Sequence, residues 1–130
     1  MLKCLSVRRT ARMGWGVYTT EAIPKGTLVE ESPVVVMDAA ARALIDRTPL
    51  HDYLFEWGED RSLCCMAMGY VPVYNHASPS NCEYEMDFEK GVIAVTAMRD
   101  IRAGEQLFVN YNGDWDDPRP VWFAELPPES

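Results

Sequence analysis

Hydrophobic and polar residues alternate over short stretches along most of this chain. A period of two, with β-branched and aromatic residues at the apolar positions, is typical of strands that bury one face. The pattern predicts short β-strands at residues 2–7, 17–20, 27–31, 33–37, 82–88, 92–98 and 106–109. Pro24-Lys25-Gly26 and Glu89-Lys90-Gly91 have the residue types of tight turns, so each is predicted to close a hairpin between the strands beside it.

One segment has a helical pattern instead. Asp38 is a residue type that caps helices, and the alanine, arginine and leucine residues after it favour a helix that runs to Arg47. Residues 69–81 and the residues after Tyr111 show neither period and are predicted to be irregular. With 130 residues, the chain has room for one domain and one core. The predicted fold class is a mostly β domain with several small sheets and one short helix.

Charge and hydrophobicity indicate which classes of partner the protein can bind and in which compartment it is expected. Asp and Glu total 20 residues against 12 Lys and Arg, which gives a net charge of −8. This surplus repels phosphate backbones and attracts cationic proteins, so it argues against direct nucleic-acid binding. No apolar run approaches the roughly 20 residues that a membrane span requires, and the N-terminal apolar stretch is too short for a secretory signal. We expect an intracellular protein, in the cytoplasm or, in a bacterium, with the nucleoid.

The four cysteines are Cys4, Cys64, Cys65 and Cys82. No two of them have the two-residue gap that is typical of zinc knuckles, and the side chains of adjacent residues point apart on a regular backbone. Buried free thiols are therefore favoured over a disulfide or a metal site, and no metal centre is predicted.

Three segments carry candidate chemistry. Gly14-Trp15-Gly16 allows a close approach to a ligand because glycine lacks a Cβ atom. Asn75 and His76 place amide and imidazole groups in one loop, and Tyr111 puts a phenol at the end of an apolar strand. Taken singly, each has an ordinary structural explanation: a glycine turn with a packed tryptophan, a polar loop and a structural tyrosine. Their combination decides the interpretation.

In their order and spacing, the segments GWGVYTT (residues 14–20), YNHASPSN (74–81) and GEQLFVNYN (104–112) resemble the three signature segments of the SET-domain protein lysine methyltransferases. The resemblance implies the β-clip SET fold, with the C-terminal strand segment threaded past a preceding loop to form a pseudoknot-like active site. It also implies a single SET domain over residues 1–130, with an insert at 38–60 and a C-terminal lid or tail at 112–130.

The chain departs from the family pattern at several positions. Ala77 stands where serine is usual, Ser80 replaces the usual proline, and Val109 and Asn110 differ from the residues that usually precede the catalytic tyrosine. Many family members carry a zinc-binding cysteine cluster after that tyrosine, whereas here no cysteine follows Cys82. The resemblance therefore implies that other residues close the lysine channel.

The family uses S-adenosylmethionine, and the resemblance assigns its contacts residue by residue. The expected cofactor-binding residues are Gly14, Trp15, Gly16, Asn75, His76 and Tyr111, with Trp122 stacking on adenine. The expected catalytic residues are Tyr111, as either a base or an orienter of the lysine amine, and Tyr84, which favours monomethylation or else packs in the core. The expected walls of the lysine channel are Tyr53, Tyr84, Val109 and Trp115.

The function implied is S-adenosylmethionine-dependent protein lysine N-methylation of a basic protein, histone or histone-like. Acidic residues of the insert either recognise such a peptide or are solvated charges; they are Asp46, Asp52, Glu56, Glu59 and Asp60. The alternative is a catalytically inactive SET-like module that binds a lysine-bearing peptide, which Ala77 and Ser80 favour. A resemblance to small family members also implies a homodimer.

Overall fold

A computed structural model describes residues 1–119, and in this part of the chain two small β-sheets accompany one α-helix. The strands are β1 (Leu5–Arg9), β2 (Trp15–Thr19), β3 (Leu28–Met37), β4 (Leu54–Trp57), β5 (Leu63–Ala67), β6 (Asn75–His76), β7 (Cys82–Asp87), β8 (Val92–Ala97) and β9 (Gln106–Val109). The helices are α1 (Ala39–Ile45) and two 3-10 turns at Pro49–Tyr53 and Val71–Val73. The predicted mostly β class is confirmed.

The two sheets divide the strands between them. A four-stranded sheet has the order β1-β2-β9-β6, and a five-stranded sheet has the order β4-β5-β3-β8-β7. All pairs are antiparallel except β6 and β9, which run parallel. Because β9 lies between β2 and β6, the last strand of the described chain is threaded into a sheet that the first strands begin.

The two hairpin predictions have opposite outcomes. The β7–β8 hairpin is confirmed, with Cys82 opposite Ala97 and Asp87 opposite Val92. The predicted hairpin around Pro24-Lys25-Gly26 is wrong, because β2 pairs with β1 and β9 while β3 pairs with β5 and β8. The turn itself forms, with Gly26 at φ +86°, but Ile23 exchanges backbone hydrogen bonds of 2.8 Å with Ile101 and directs the chain into the other sheet.

Residues 38–67, which comprise the predicted insert and the strand after it, form a helix and a hairpin at one end of the five-stranded sheet. The Asp38 carboxylate caps α1 by accepting a hydrogen bond from the Ala41 N–H (2.9 Å), as predicted. The helix ends at Ile45 rather than at Arg47, and none of its residues is buried. The hairpin β4–β5 was not predicted. Its strand β5 pairs with the second half of β3. Strand β3 itself joins the two strands predicted at residues 27–31 and 33–37 into one.

The core lies between the two sheets and draws on both. Its buried apolar residues include Val17 and Leu107 from the four-stranded sheet and Val29, Ile93 and Val95 from the five-stranded sheet. The cysteine thiols are free; those at positions 64, 65 and 82 are buried as predicted, whereas that of Cys4 is only half-buried. No helix within residues 1–119 has the length and hydrophobicity to cross a membrane.

Candidate active site

The loop after β6 holds strand β9 through a buried amide. The Asn81 side chain is 3% exposed, and its Nδ2 atom donates to the Gln106 carbonyl (2.9 Å) while its Oδ1 atom accepts from the Phe108 N–H (2.7 Å). One side chain thus bonds the edge of β9 in the way that a neighbouring strand would. The parallel pairs Asn75–Phe108 and His76–Val109 continue this contact. Together they wrap the loop around β9 and fix where Tyr111 emerges.

Tyr111 follows β9 and lies in a half-buried position, where it contacts the loop 74–81. Its hydroxyl donates to the Tyr74 carbonyl at 2.6 Å, its backbone N–H donates to His76 Nδ1 at 3.0 Å, and the two rings lie 5.3 Å apart between centroids. Burial, with a smaller contribution from Tyr84, raises the pKa of the Tyr111 phenol to about 12. The phenol is therefore protonated at neutral pH, and its hydrogen points at Tyr74.

His76 is neutral in this arrangement. Burial lowers the pKa of its imidazole below the ordinary value. Because Nδ1 accepts the Tyr111 N–H, the ring hydrogen of the neutral form is on Nε2. The imidazole thus couples the loop 74–81 to the chain that carries Tyr111.

An aromatic wall extends from Tyr111 into the insert. Tyr84, on β7, donates its hydroxyl to the Tyr111 carbonyl at 3.3 Å, and the Phe55 ring of β4 packs on the Tyr84 ring with 5.7 Å between centroids. Burial raises the pKa of the Tyr84 phenol. Phe55 was not predicted as a site residue, because the contact depends on the β4–β5 hairpin that the sequence pattern did not indicate.

The glycine segment of β2 and the loop residue Asn75 form a second cluster. Asn75 Nδ2 donates to the Trp15 carbonyl (3.0 Å) and to Gln106 Oε1 (2.9 Å), so both amide hydrogens are used and Oδ1 is the atom that can accept from a ligand. A Cβ atom at Gly16 would lie 2.5 Å from Gln106 Oε1 and 3.1 Å from Asn75 Nδ2, so a larger residue here would displace the side chains of this cluster. Gln106 was not predicted.

Beside this cluster the surface is open and carries positive charge. Gly14 has φ +67°, and nothing lies within 4 Å of where its Cβ would be. The Trp15 side chain is 52% exposed, and the Arg9 guanidinium lies 5.3 Å from the centre of its ring. The predicted cofactor residues of β2 and β6 therefore meet at an accessible place that offers backbone carbonyls, an amide oxygen, an aromatic face and a cation.

Comparison with known proteins decides the family. The profile of the SET domain matches residues 14–112. The chain belongs to the SET domain family. It is 30% identical over 122 residues to the histone-lysine N-methyltransferase of Schizosaccharomyces pombe described as H3 lysine-37 specific, a match that covers 93% of this chain and 78% of that protein. It is 32% identical over 116 residues to the human H3 lysine-36-specific enzyme, covering 83% of this chain but 4% of the human protein.

The fold of this SET domain also matches a solved structure. A crystal structure from Plasmodium falciparum, described as that of a candidate histone methyltransferase, superimposes with a TM-score of 0.66 at 24% sequence identity. The match covers 88% of this chain and 98% of that one. The predicted resemblance and the fold class that it implied are both confirmed.

The other predicted site residues of the SET domain are placed as follows. Val109 is 2% exposed and packs in the core, while its carbonyl accepts the Ala77 N–H at 3.2 Å. Tyr53 ends the first 3-10 turn with 43% of its surface exposed, and the ring that packs on Tyr84 is that of Phe55. Trp122 lies outside the described residues. The channel and cofactor roles of these three residues, and the channel role of Trp115, stay predictions.

Two of the family departures, Ser80 and Asn110, take part in holding the C-terminal strap, residues 114–119. Ser80 donates its N–H (2.8 Å) to the Trp115 carbonyl, and Ser78 donates its hydroxyl to the Asp117 carbonyl (2.6 Å). Asn110 Nδ2 also donates to the Asp117 carbonyl, at 2.7 Å. Asn112 Nδ2 continues the series with the Arg119 carbonyl at 2.6 Å. The Ser80 backbone and the side chains at positions 78, 110 and 112 thus bind alternate carbonyls of the strap.

Proposed function

We propose that this SET domain is an S-adenosylmethionine-dependent protein lysine N-methyltransferase. The observation that carries the proposal is the arrangement of Tyr111: a half-buried, protonated phenol whose hydrogen is donated to the Tyr74 carbonyl, so that its oxygen meets an incoming amine as an acceptor and not as a donor. The histone-lysine methyltransferase relatives support the same reaction.

The cluster at β2 and β6 fits the amino-acid end of the cofactor. Asn75 Oδ1 and the backbone carbonyls of Gly14 to Gly16 can accept from an α-ammonium group, and the Arg9 cation above Trp15 suits a carboxylate. The open space at Gly14 gives a ligand access to this backbone. When bound, S-adenosylmethionine supplies a methyl group on a positively charged sulfur, and it leaves as S-adenosylhomocysteine.

In this proposal Tyr111 orients the substrate and does not act as a base. A lysine amine has an ordinary pKa of about 10.4 and must lose its proton before it can attack. Burial raises the pKa of both Tyr84 and Tyr111, so neither phenol is ionised at neutral pH to take that proton. The apolar rings around the site disfavour the ammonium form, so the proton leaves to water. The Tyr111 oxygen then accepts an N–H bond and directs the nitrogen lone pair.

The aromatic wall and the strap form the proposed channel. Phe55 and Tyr84 would line the lysine stem, and the Tyr84 hydroxyl would occupy space that further methyl groups need, which favours monomethylation. The C-terminal strap would close the channel in place of the zinc cluster of other family members. Because the chain carries a net charge of −8, the proposed substrate is a lysine-bearing basic protein of the histone class.

The test is methyl transfer by wild type and by Tyr111→Phe, each incubated with labelled S-adenosylmethionine and a panel of basic proteins that includes histones. Mass spectrometry would detect methyl-lysine with wild type and at least about 100-fold less with the variant, the scale of losing one aligned polar group at the reacting centre. Tyr70→Phe is the matched control, because it removes a phenol oxygen that takes part in none of the bonds described above. The absence of both product and cofactor binding would favour the inactive peptide-binding module instead, because a pure peptide reader has no need of S-adenosylmethionine.

A further inference from the structure

Glu30 is a buried carboxylate that the proposed chemistry does not use. It lies on β3 opposite Val95, is 1% exposed, and forms no ion pair with a cation within residues 1–119. A buried carboxylate without a cation is unfavourable unless hydrogen-bond donors surround it. The groups that donate to Glu30 therefore indicate what it holds in place.

Its donors are two hydroxyls and a backbone N–H. The Ser32 hydroxyl (2.6 Å) and the Tyr70 N–H (3.1 Å) donate to Oε2. The Tyr74 hydroxyl donates to Oε1 at 2.8 Å. Burial and the neighbouring Glu30 carboxylate raise the pKa of the Tyr74 phenol, so Tyr74 stays the donor of this bond.

These hydrogen bonds hold both ends of the short segment 70–74. Glu30 binds Tyr70 just before the second 3-10 turn and Tyr74 just after it. At Gly69, which has φ +66°, a Cβ atom would lie within 2.5 Å of the Glu30 and Ser32 side chains, so the chain passes directly against the carboxylate. The segment 69–74 is thus anchored on the five-stranded sheet, although it leads into β6 of the other sheet.

The anchored segment carries the group that orients Tyr111. The Tyr74 carbonyl accepts the Tyr111 hydroxyl at 2.6 Å, while the Tyr74 hydroxyl is held by Glu30. We propose that Glu30 is a positioning residue of the SET domain: through Tyr74 it fixes the carbonyl that sets the direction of the Tyr111 hydroxyl. The role in methyl transfer rests on the proposed function, and the Glu30–Tyr74–Tyr111 linkage can be measured without turnover.

Three variants distinguish a positioning role of Glu30 from a general packing role. Tyr74→Phe removes only the oxygen that Glu30 holds, and Glu30→Gln keeps the shape of the side chain but removes one acceptor. Ser32→Ala is the matched control, since it removes a donor to Glu30 that is not part of the link to Tyr111. We expect kcat about tenfold lower for Tyr74→Phe and Glu30→Gln, with KM for the cofactor and the peptide unchanged, and wild-type kcat for Ser32→Ala.

A second readout is the exchange rate of the Tyr111 hydroxyl proton at neutral pH, measured by NMR on tyrosine-labelled protein. The signal is assigned by its loss in Tyr111→Phe. We expect slow exchange in wild type and Ser32→Ala, and at least about tenfold faster exchange in Tyr74→Phe and Glu30→Gln. Tyr74→Phe is the milder change, so it can decide the inference by itself if Glu30→Gln does not fold.

Two results would overturn the inference. One is wild-type exchange and wild-type kcat in folded Tyr74→Phe; the other is an equal loss in Ser32→Ala, which would make the network a packing feature. A wild-type protein that transfers no methyl group would refute the proposed function instead. In that case the hydroxyl exchange alone would decide whether Glu30 holds Tyr111.

Discussion

The motif region, formed by residues 74–81 and 106–112, and the insert, residues 38–60, are stabilised in different ways. In the motif region buried polar side chains bond directly to the backbone; Ser80, Asn81 and Asn110 are each at most 3% exposed. In the insert no residue of α1 is buried, and Leu44 and Leu50 are 66% and 51% exposed. The motif region is fixed by satisfied polar groups, whereas the insert is held by caps and by the pairing of β4 with β5.

This difference in stabilisation suits the two regions to different tasks. A buried polar group costs free energy if any partner is lost, so the motif region tolerates few geometries and suits the alignment of reacting groups. Every buried side-chain nitrogen and oxygen in residues 1–119 has a partner, which agrees with this interpretation. An exposed helix on few contacts opens locally at lower cost, and it suits a surface that adapts to different peptides.

The largest expected effect is that of Asn81→Ala. The change leaves the Gln106 carbonyl and the Phe108 N–H without their partner in a buried position. At roughly 1–3 kcal/mol for each of the two buried groups, the free energy of unfolding should fall by about 2–6 kcal/mol. Urea unfolding followed by circular dichroism measures the loss.

Asn112→Ala is the matched control for that prediction. Its amide also donates to a carbonyl, that of Arg119, but from a partly exposed position. A loss of about 1 kcal/mol or less is expected, because water can replace the bond. If Asn81→Ala cost no more than Asn112→Ala, burial would not distinguish the motif region.

Alkaline pH should weaken the folded state through the buried thiols. Burial raises the pKa of Cys65 from 9.0 to about 11 and that of Cys82, next to Asn81, from 9.0 to about 12. Above pH 9 the unfolded chain has released these protons and the folded chain has not, so the stability present below pH 9 falls as pH rises. Each thiol contributes about 1.4 kcal/mol per pH unit until its folded pKa is reached.

Urea unfolding at a series of pH values between 7 and 11 measures this slope. Between pH 9 and 10, below the ordinary pKa of the buried tyrosines, Cys82→Ala should lower the slope by about 1.4 kcal/mol per pH unit, the contribution of one thiol. A stability that stays constant above pH 9 would contradict the burial of both thiols in the folded state. Cys82 is the thiol of the motif region, and its larger pKa shift predicts that it continues to lower the stability above pH 11.

Local signals allowed part of this fold to be predicted from the sequence. The Asp38 cap, the β7–β8 hairpin and the bounds of β9 follow from neighbouring residues, and the structure has all three. The first hairpin was wrong because the partner of Ile23 is Ile101, far along the chain. A turn indicates that the chain reverses, but it does not indicate which strand lies beside it.

The site shows the same limit. The segments that carry Asn75, His76 and Tyr111 were recognised because the three motifs occur in order, and the structure brings these residues together. Glu30 and Phe55 have no sequence signal of their own, because each acts through a contact with a distant residue. The sequence shows that Glu30 is acidic and that Phe55 is aromatic. Only the packed structure shows which residues they contact.

The smallest expected effect is that of Asp38→Ala in the insert. The variant removes the hydrogen bond from Ala41 to the capping carboxylate, a contribution of about 1 kcal/mol in a typical helix. Because no residue of α1 is buried, the helix should fray without unfolding the sheets. Amide hydrogen exchange should therefore become faster in residues 39–46 and stay unchanged in β7 to β9, with the urea midpoint nearly constant. Faster exchange in β9 as well would mean that the insert and the motif region unfold together, and it would remove the distinction between them.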